Sequence, residues 1–359
     1  MVIRHPLRYP LMALGMVALL AALWGGLLRL GWDWPIMRQT LPVSHGPLMI
    51  SGFLGTLIGL ERAVALGQPW TYAGPTLTGL GALALVVGLP GLAGPMFMAM
   101  GSLALVVVFA VTVRRQPGLP EITMGIGALA WLVGNSLWLS GWPAFRVVGW
   151  WAGFLVLTIA GERLELSRFL PISRAARAVV VSGVGLFAAG LVLALSVFDL
   201  GARLSGLGLL VLTFWLLRFD IARRSLQKAG LARFVAVSLL SGYLWLGVAG
   251  LLGLRFGGLA AGLHYDAWLH AIFLGFVFAM IFGHAPIIFP AVLGVPVPFR
   301  PAFYSHLALL HLSLVLRVVG DVAAWWPGRL WGGLLNALAV LLFLGNMALS
   351  VGQRRGLSH

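Results

Sequence analysis

Long apolar stretches recur along almost the whole of this 359-residue chain. About twelve of them are roughly 18–25 residues long, enough for a helix to cross the ~30 Å hydrocarbon core of a bilayer. Hydrophobic residues make up 60% of the chain and charged residues only 9%, a composition that excludes an ordinary soluble domain. The sequence therefore predicts one all-α polytopic membrane domain over residues 1–359. The predicted spans are approximately 10–30, 43–65, 72–90, 92–112, 120–140, 145–166, 178–198, 203–219, 232–253, 265–289, 303–320 and 330–350.

Positively charged residues indicate how these helices are oriented. With the N-terminus inside, seventeen of the 24 Lys and Arg residues fall in inner loops and seven in outer loops. Because such residues accumulate on the cytoplasmic side, both termini are predicted to be cytoplasmic, in a bacterial-type inner membrane. The net charge of +15 is spread over the loops, so it indicates orientation and not a nucleic-acid partner. The absence of cysteine excludes disulfides and iron–sulfur clusters.

Three predicted spans share one phrase at fixed spacing. Each phrase has a Gly-Phe pair, an Ile six residues after the glycine, and a Glu or His nine residues after it. The pairs are Gly52-Phe53, Gly153-Phe154 and Gly275-Phe276, followed by Glu61, Glu162 and His284. The phrases fall on the second, sixth and tenth spans, which predicts three pseudo-equivalent repeats of four helices, over residues 1–116, 117–228 and 229–359. Helix packing explains the glycines but not the polar residues, which are costly inside a membrane.

Two histidines lie at matched positions in the second and tenth spans. His45 precedes the glycine of its phrase by seven residues and His270 by five, a difference in depth of roughly 3 Å. Histidines at one depth on different helices can bind a haem iron from opposite faces, because neutral imidazole is a good iron ligand. The simpler interpretation is an ordinary helix–helix hydrogen bond at each histidine, worth about 0.6 kcal/mol. The matched pair favours haem.

A second polar set is predicted towards the inner side and the middle of the membrane. Its members are Glu61, Glu162, His284, His306 and His311. Carboxylates and imidazoles together bind hard or borderline metal ions or carry protons. A structural ion-pair network is the simpler interpretation, and at this point the metal site, the proton path and the network all stay open. His284 is predicted to lie near the same helix face as His270, fourteen residues earlier.

The residues around both histidines resemble a known family. His45-Gly46-Pro47-Leu48-Met49-Ile50-Ser51-Gly52-Phe53 looks like the histidine-led motif of the NnrS family of haem- and copper-containing membrane proteins. His270-Ala271, with Gly275 and Met280, is similar to that family's later His-Ala motif. Pro47 stands where a second histidine is typical, and the family's Gly-His-Thr-Gly-Arg phrase is missing. The resemblance implies haem b, with copper or another metal ion as a second group.

The same segments are more distantly similar to the catalytic subunit of haem–copper oxidases. Those proteins have twelve helices in three groups of four, and their low-spin haem lies between the second and tenth helices on the outer side. That likeness implies that His45 and His270 are axial ligands. The sixth and seventh spans contain no histidine, and the chain has no His-x-His pair. The residues of the oxygen-reducing centre are therefore missing.

These features predict an integral membrane b-type haem protein that is NnrS-like and haem–copper-oxidase-like in architecture. The resemblance implies electron transfer, a haem-dependent oxidoreductase, or another role in redox chemistry or nitric-oxide-related stress. Its partners would be the lipid bilayer and an electron donor that the sequence does not identify. Two alternatives are a transporter that conducts protons or ions through Glu61, Glu162 and His284 without haem, and a membrane-embedded metalloenzyme.

Overall fold

The computed structural model describes residues 6–167 and 173–355, and in these ranges it contains no β-strand. The same residues form twelve helices that are long and apolar enough to cross a membrane. They are α1 Arg8–Leu30, α2 Leu41–Leu66, α3 Pro69–Val87, α4 Ala93–Arg115, α5 Leu119–Leu139, α6 Ala144–Ser167, α7 Arg174–Leu193, α8 Phe198–Phe219, α9 Gly230–Phe256, α10 Leu263–Leu293, α11 Phe303–Val322 and α12 Trp326–Arg355. This confirms the predicted all-α, multi-pass membrane protein.

Many large apolar side chains lie on the outer surfaces of the helices. Leu312 is 71% exposed, Leu349 61% and Leu251 58%. Such side chains would be unfavourable in water, and a lipid bilayer is the environment that accommodates them. The exposed apolar side chains therefore support the same conclusion as the length and composition of the helices, that they lie in a membrane.

The chain divides into two compact units, with the boundary inside α6 between Phe154 and Leu155. In the first unit α1 packs against α2 and α3, α3 packs against α4, and α4 packs against α5. Small residues allow these contacts. A methyl group at Gly52 of α2 would lie 3.2 Å from Cβ of Ala18 in α1 and 3.0 Å from Cβ of Ala82 in α3. Close packing through small residues is the usual way in which membrane helices associate.

In the second unit each helix from α7 to α12 packs against the next one in the chain. A short helix, Ala222–Ser225, lies in the connection between α8 and α9. Backbones approach closely where glycines face each other. A methyl group at Gly206 of α8 would lie 2.6 Å from the backbone nitrogen of Leu254 in α9. These glycine contacts fix the register of neighbouring helices.

Two segments of the described chain are π-helical, one in α2 and one in α10. They are Leu48–Gly55 and Ala271–Phe278, each eight residues long. The Gly-Phe pair of the repeated phrase occupies the fifth and sixth positions of both segments. The third phrase lies in α6, which is a regular α-helix throughout. π-Helices are rare and often occur at functional sites, so these two segments are candidate positions for a functional site.

Replacing Gly332 with leucine is expected to destabilise the contact between α11 and α12. A Cβ at Gly332 would lie 2.6 Å from the backbone nitrogen of Arg317, and backbone atoms cannot move aside easily. Overpacking of this kind costs about 1–3 kcal/mol, so the detergent-solubilised variant should unfold at a lower temperature than the wild type. Gly345→Leu on the same helix is the matched control, since nothing lies within 4 Å of a Cβ there. Equal melting temperatures for the two variants would contradict the prediction.

Candidate functional site

His45 is held by helix α1, which packs beside it. Its Nδ1 lies 2.6 Å from the backbone oxygen of Ala22. A carbonyl oxygen only accepts hydrogen bonds, so Nδ1 carries the proton and the neutral ring has its lone pair on Nε2. Gly26 makes room for the ring, since a Cβ at that position would lie 2.7 Å from Cε1 of His45. The imidazole is therefore fixed in one tautomer by its neighbours.

His270, in the first two turns of α10, has the same tautomer. Its Nδ1 lies 2.8 Å from the backbone oxygen of Asp266 and 3.5 Å from that residue's Oδ1. The proton is therefore on Nδ1, and the neutral ring again has its lone pair on Nε2. A histidine that donates from one nitrogen to a carbonyl or carboxylate oxygen is oriented to bind a metal through the other nitrogen. Both predicted haem ligands have this arrangement.

A network of four charged side chains anchors the His270 end of α10. Arg317 of α11 donates two hydrogen bonds to Asp266, at 2.9 and 3.1 Å. Arg329 of α12 lies 3.7 Å from Asp266 and 3.0 Å from Oδ1 of Asp321. From the sequence these arginines counted only as loop charges, and Asp321 was not among the candidate residues. The sequence did offer one clue to this network: the chain has only 9 acidic residues, and an acidic residue inside a membrane span needs a partner.

His306 and His311 of α11 have the opposite arrangement. Nδ1 of His306 accepts from the side-chain amide of Asn346 at 3.0 Å, and Nδ1 of His311 accepts from Nε1 of Trp245 at 3.0 Å. The lone pair of each neutral ring is therefore used by a protein donor, and the proton is on Nε2. His306 is also enclosed by Phe234, Phe282, Phe303 and Phe343. This arrangement favours a structural role for both histidines.

A buried polar network holds the π-helix of α2. Ser51 donates to Oδ1 of Asn135 at 3.0 Å, and Nε1 of Trp131 donates to Oγ of Ser51 at 2.9 Å. Nε1 of Trp151 donates to the same Asn135 oxygen at 2.9 Å. The Trp131 indole also packs against Gly55, where a Cβ would overlap the ring. Sequence analysis did not identify this network, whose members come from three separate helices.

The π-helix of α10 is packed against a tryptophan of α9. The Trp245 ring lies directly over Gly275, so that a Cβ at this glycine would overlap it. The same indole donates its Nε1–H to His311. One side chain thus connects the π-helix with α11, and the glycine of the phrase is required for that contact.

A buried ion pair joins Arg163 of α6 to Asp220, the residue that follows α8. Nε and Nη2 of Arg163 donate to Asp220 at 2.8 and 2.9 Å, and the two side chains are 4% and 0% exposed. Asp220 also accepts from the backbone nitrogen of Ala222 at 2.6 Å, and the buried Tyr243 hydroxyl lies beside both charged groups. Two charges leave water together only when they are well paired, and this pair fixes α6 to the end of α8.

The predicted inner residues divide between the two units. In the second unit, His284 lies within electrostatic range of Glu162 and Arg163, and its Nδ1 is 2.8 Å from the backbone oxygen of Met280. His284 therefore has the same tautomer as His45 and His270. In the first unit, Arg62 lies 3.6 Å from its neighbour Glu61.

No three His, Asp or Glu side chains within residues 6–167 and 173–355 are grouped as ligands for a metal ion. The five residues assigned to a second metal ion lie on four different helices: Glu61 on α2, Glu162 on α6, His284 on α10, and His306 and His311 on α11. Their role in metal binding stays a prediction. The tautomers distinguish the three histidines. Nδ1 of His284 carries the proton, so its Nε2 has the lone pair that a metal ion needs. In His306 and His311 the lone pair is on Nδ1 and accepts a hydrogen bond from the protein.

Comparison with known proteins gives one match. The sequence model of the family described as Domain of unknown function (DUF8744) covers residues 8–352, which include both π-helices and every polar cluster described above. No curated protein and no solved structure matches the chain at a significant level. The family match extends over nearly the whole chain, and this protein therefore belongs to the family described as Domain of unknown function (DUF8744).

Proposed function

We propose that this protein is an integral membrane b-type haem protein in which His45 and His270 would hold the haem. One observation carries the proposal: each histidine lies within one turn before an eight-residue π-helix, His270 immediately before it and His45 three residues before it. Both π-helices have Gly-Phe at their fifth and sixth positions. The related phrase in α6 has neither a histidine nor a π-helix. The rare π-helix thus occurs in the two phrases that follow a histidine and is absent from the phrase in α6, which has none.

The chemistry of the two rings fits haem iron. Each neutral imidazole keeps its lone pair on Nε2, because Nδ1 donates to a backbone oxygen. An oxygen partner on the far nitrogen also fixes the orientation of an iron-ligating ring and raises its basicity. When bound, the haem would supply one-electron redox chemistry. The protein's own contribution would be to orient His270 through Asp266, which Arg317 holds with two hydrogen bonds.

The wider proposal follows the resemblance to the NnrS family and the haem–copper oxidases. It comprises three four-helix repeats in a bacterial-type inner membrane, cytoplasmic termini, and a role in redox chemistry or nitric-oxide-related stress. A second metal ion, copper or another, would take ligands from the inner set of carboxylates and imidazoles. Of the three histidines in that set, His284 has the tautomer that suits a ligand.

The test is the reduced-minus-oxidised visible spectrum of the purified protein in detergent, combined with a pyridine haemochrome assay. Protein produced with ample haem should show a sharp b-type signal and about one haem per chain. A haem content near zero in folded protein would overturn the proposal. Metal analysis of the same sample would show whether a second ion is present.

A second candidate function is a proton path that needs no haem. The observation in its favour is a partly buried cluster in the second unit, where Glu162, His284 and the buried Arg163–Asp220 pair are close enough to interact electrostatically. Ionisable groups within a membrane span often carry protons. In the first unit, Glu61 would be the corresponding carboxylate at the same position of the repeated phrase.

Replacing Glu162 with glutamine separates this candidate from the first. If Glu162 carries protons, Glu162→Gln should lower proton flux into proteoliposomes by roughly tenfold or more. A glutamine amide neither binds nor releases a proton near neutral pH. Glu165→Gln is the matched control, since it removes the same charge from the same helix three residues further on. Haem-free protein with equal flux in both variants would exclude the proton path.

A further inference from the structure

The second unit carries an open groove between two neighbouring helices, α8 and α9. Its volume is about 670 Å³, and it lies between the last turns of α8 and the middle of α9. On α8 it is lined by Phe214, Leu217 and Arg218, and on α9 by a face that includes Ser241 and Leu244. These residues recur at three- and four-residue intervals, so each helix contributes one continuous face. The groove is therefore elongated and runs along the two helices.

The walls of the groove are apolar and exposed. Phe214 is 56% exposed and Leu244 is 59% exposed. Ser241 does not add a polar wall, because its hydroxyl donates to backbone oxygens of its own helix at 2.8 and 3.0 Å. Its small side chain instead leaves the space between the larger residues on either side. A hydrocarbon chain fits this surface better than water does.

One end of the groove is strongly basic. Arg218 and Arg223 line it directly. Three more exposed basic residues follow in the same connection and the start of α9: Arg224, Lys228 and Arg233. Asp220 is the one acidic residue in this part of the sequence, and it is buried in its pair with Arg163. No exposed acidic residue therefore accompanies these cations between Phe214 and Leu244.

We propose that this groove binds a phospholipid with an anionic headgroup, whose acyl chain lies between α8 and α9 and whose phosphate is held by Arg218 and Arg223. Charge complementarity selects this ligand: the apolar walls accept the acyl chain, and the two guanidinium groups form charge-assisted hydrogen bonds with phosphate. Basic pockets beside membrane helices are typical headgroup sites. Neither the proposed haem ligands nor Glu162 and His284 line the groove.

Native mass spectrometry of the full chain in detergent tests the proposal, with phosphatidylglycerol and phosphatidylcholine of identical acyl chains as probes. Each arginine near an anionic surface strengthens binding several-fold, so wild type should bind phosphatidylglycerol roughly tenfold more tightly than phosphatidylcholine. Arg218→Gln/Arg223→Gln should remove that preference. Arg224→Gln/Lys228→Gln is the control: it removes two charges from the same segment without touching the groove, and it should keep most of the preference.

A second variant tests the acyl-chain part of the site. Ser241→Trp places an indole in the gap of the α9 face, so it should weaken binding of both lipids. Ser241→Ala should not. Equal binding of the two lipids by the wild type would overturn the headgroup assignment. Undiminished lipid binding by folded Ser241→Trp would overturn the groove as the site.

Discussion

Alanine at either His45 or His270 is expected to abolish the b-type haem spectrum. His45 and His270 would hold the haem together, and a chain with only one of the two imidazoles would not retain it through purification. Haem content should therefore fall from about one per chain to near zero in both variants. The measurement is the pyridine haemochrome assay on protein whose helical content and melting behaviour are first shown to be those of a folded chain.

His264→Ala is the matched control for this experiment. His264 lies six residues before His270 on the same helix, and its ring stacks on Phe256 at a centroid distance of 4.0 Å. It should lose that contact and keep its haem. Full haem retention in His45→Ala or His270→Ala would remove the corresponding residue from the ligand set, and haem loss in all three variants would indicate a general folding defect.

Removing one partner of the Arg163–Asp220 pair is expected to have the largest effect on stability. Both side chains are almost fully buried, so Arg163→Leu leaves a carboxylate without its partner inside the protein. Breaking a buried pair in this way costs about 3–5 kcal/mol. The variant should melt well below the wild type in detergent, or fail to accumulate in the membrane.

The double variant Arg163→Met/Asp220→Leu distinguishes a lost charge pair from a lost contact. With both charges replaced by apolar side chains of similar size, most of the stability should return, because no isolated charge is left buried. The exposed pair of Asp199 and Arg203, with 60% and 38% of their side chains exposed, provides the comparison. Asp199→Ala should leave the melting temperature unchanged. A double variant as unstable as Arg163→Leu would contradict the interpretation.

The twelve helices could be predicted from the sequence because one physical requirement dominates them. A backbone inside hydrocarbon must satisfy its own hydrogen bonds, so each long apolar stretch becomes a helix. The bounds differ from the prediction mainly at the ends, as with α10, predicted over 265–289 and observed at Leu263–Leu293. Residues near the ends of a span can be helical or in a loop, and their hydropathy does not distinguish the two states.

Pairing between distant charges could not be predicted in the same way. Arg163 stands next to Glu162 in the sequence but bonds to Asp220, which is 57 residues away. Asp266 likewise finds Arg317, which is 51 residues away. Such pairs depend on helix packing, which is set by small residues such as Gly320 and Gly332. Hydrophobic periodicity contains no information about these contacts.

The state of each histidine also depends on its surroundings. Depth, the repeated phrase and family resemblance placed His45, His270, His284, His306 and His311 in candidate sites. Their tautomers follow from whether Nδ1 meets an oxygen, as in His270, or an N–H group, as in His311. That distinction arises from a neighbouring backbone or side chain and has no counterpart in residue type or spacing.

The two π-helices also change the angular phase of the residues on either side of them. A π-helix accommodates more residues in each turn than an α-helix, in effect a local insertion into the regular repeat. Each inserted residue rotates the following helix by roughly 100° relative to the preceding part. The segment Ala271–Phe278 separates His270 from His284, so these two histidines no longer share the face that α-helical counting assigns to them. The backbone, and not the spacing of the side chains, decides which way each imidazole faces.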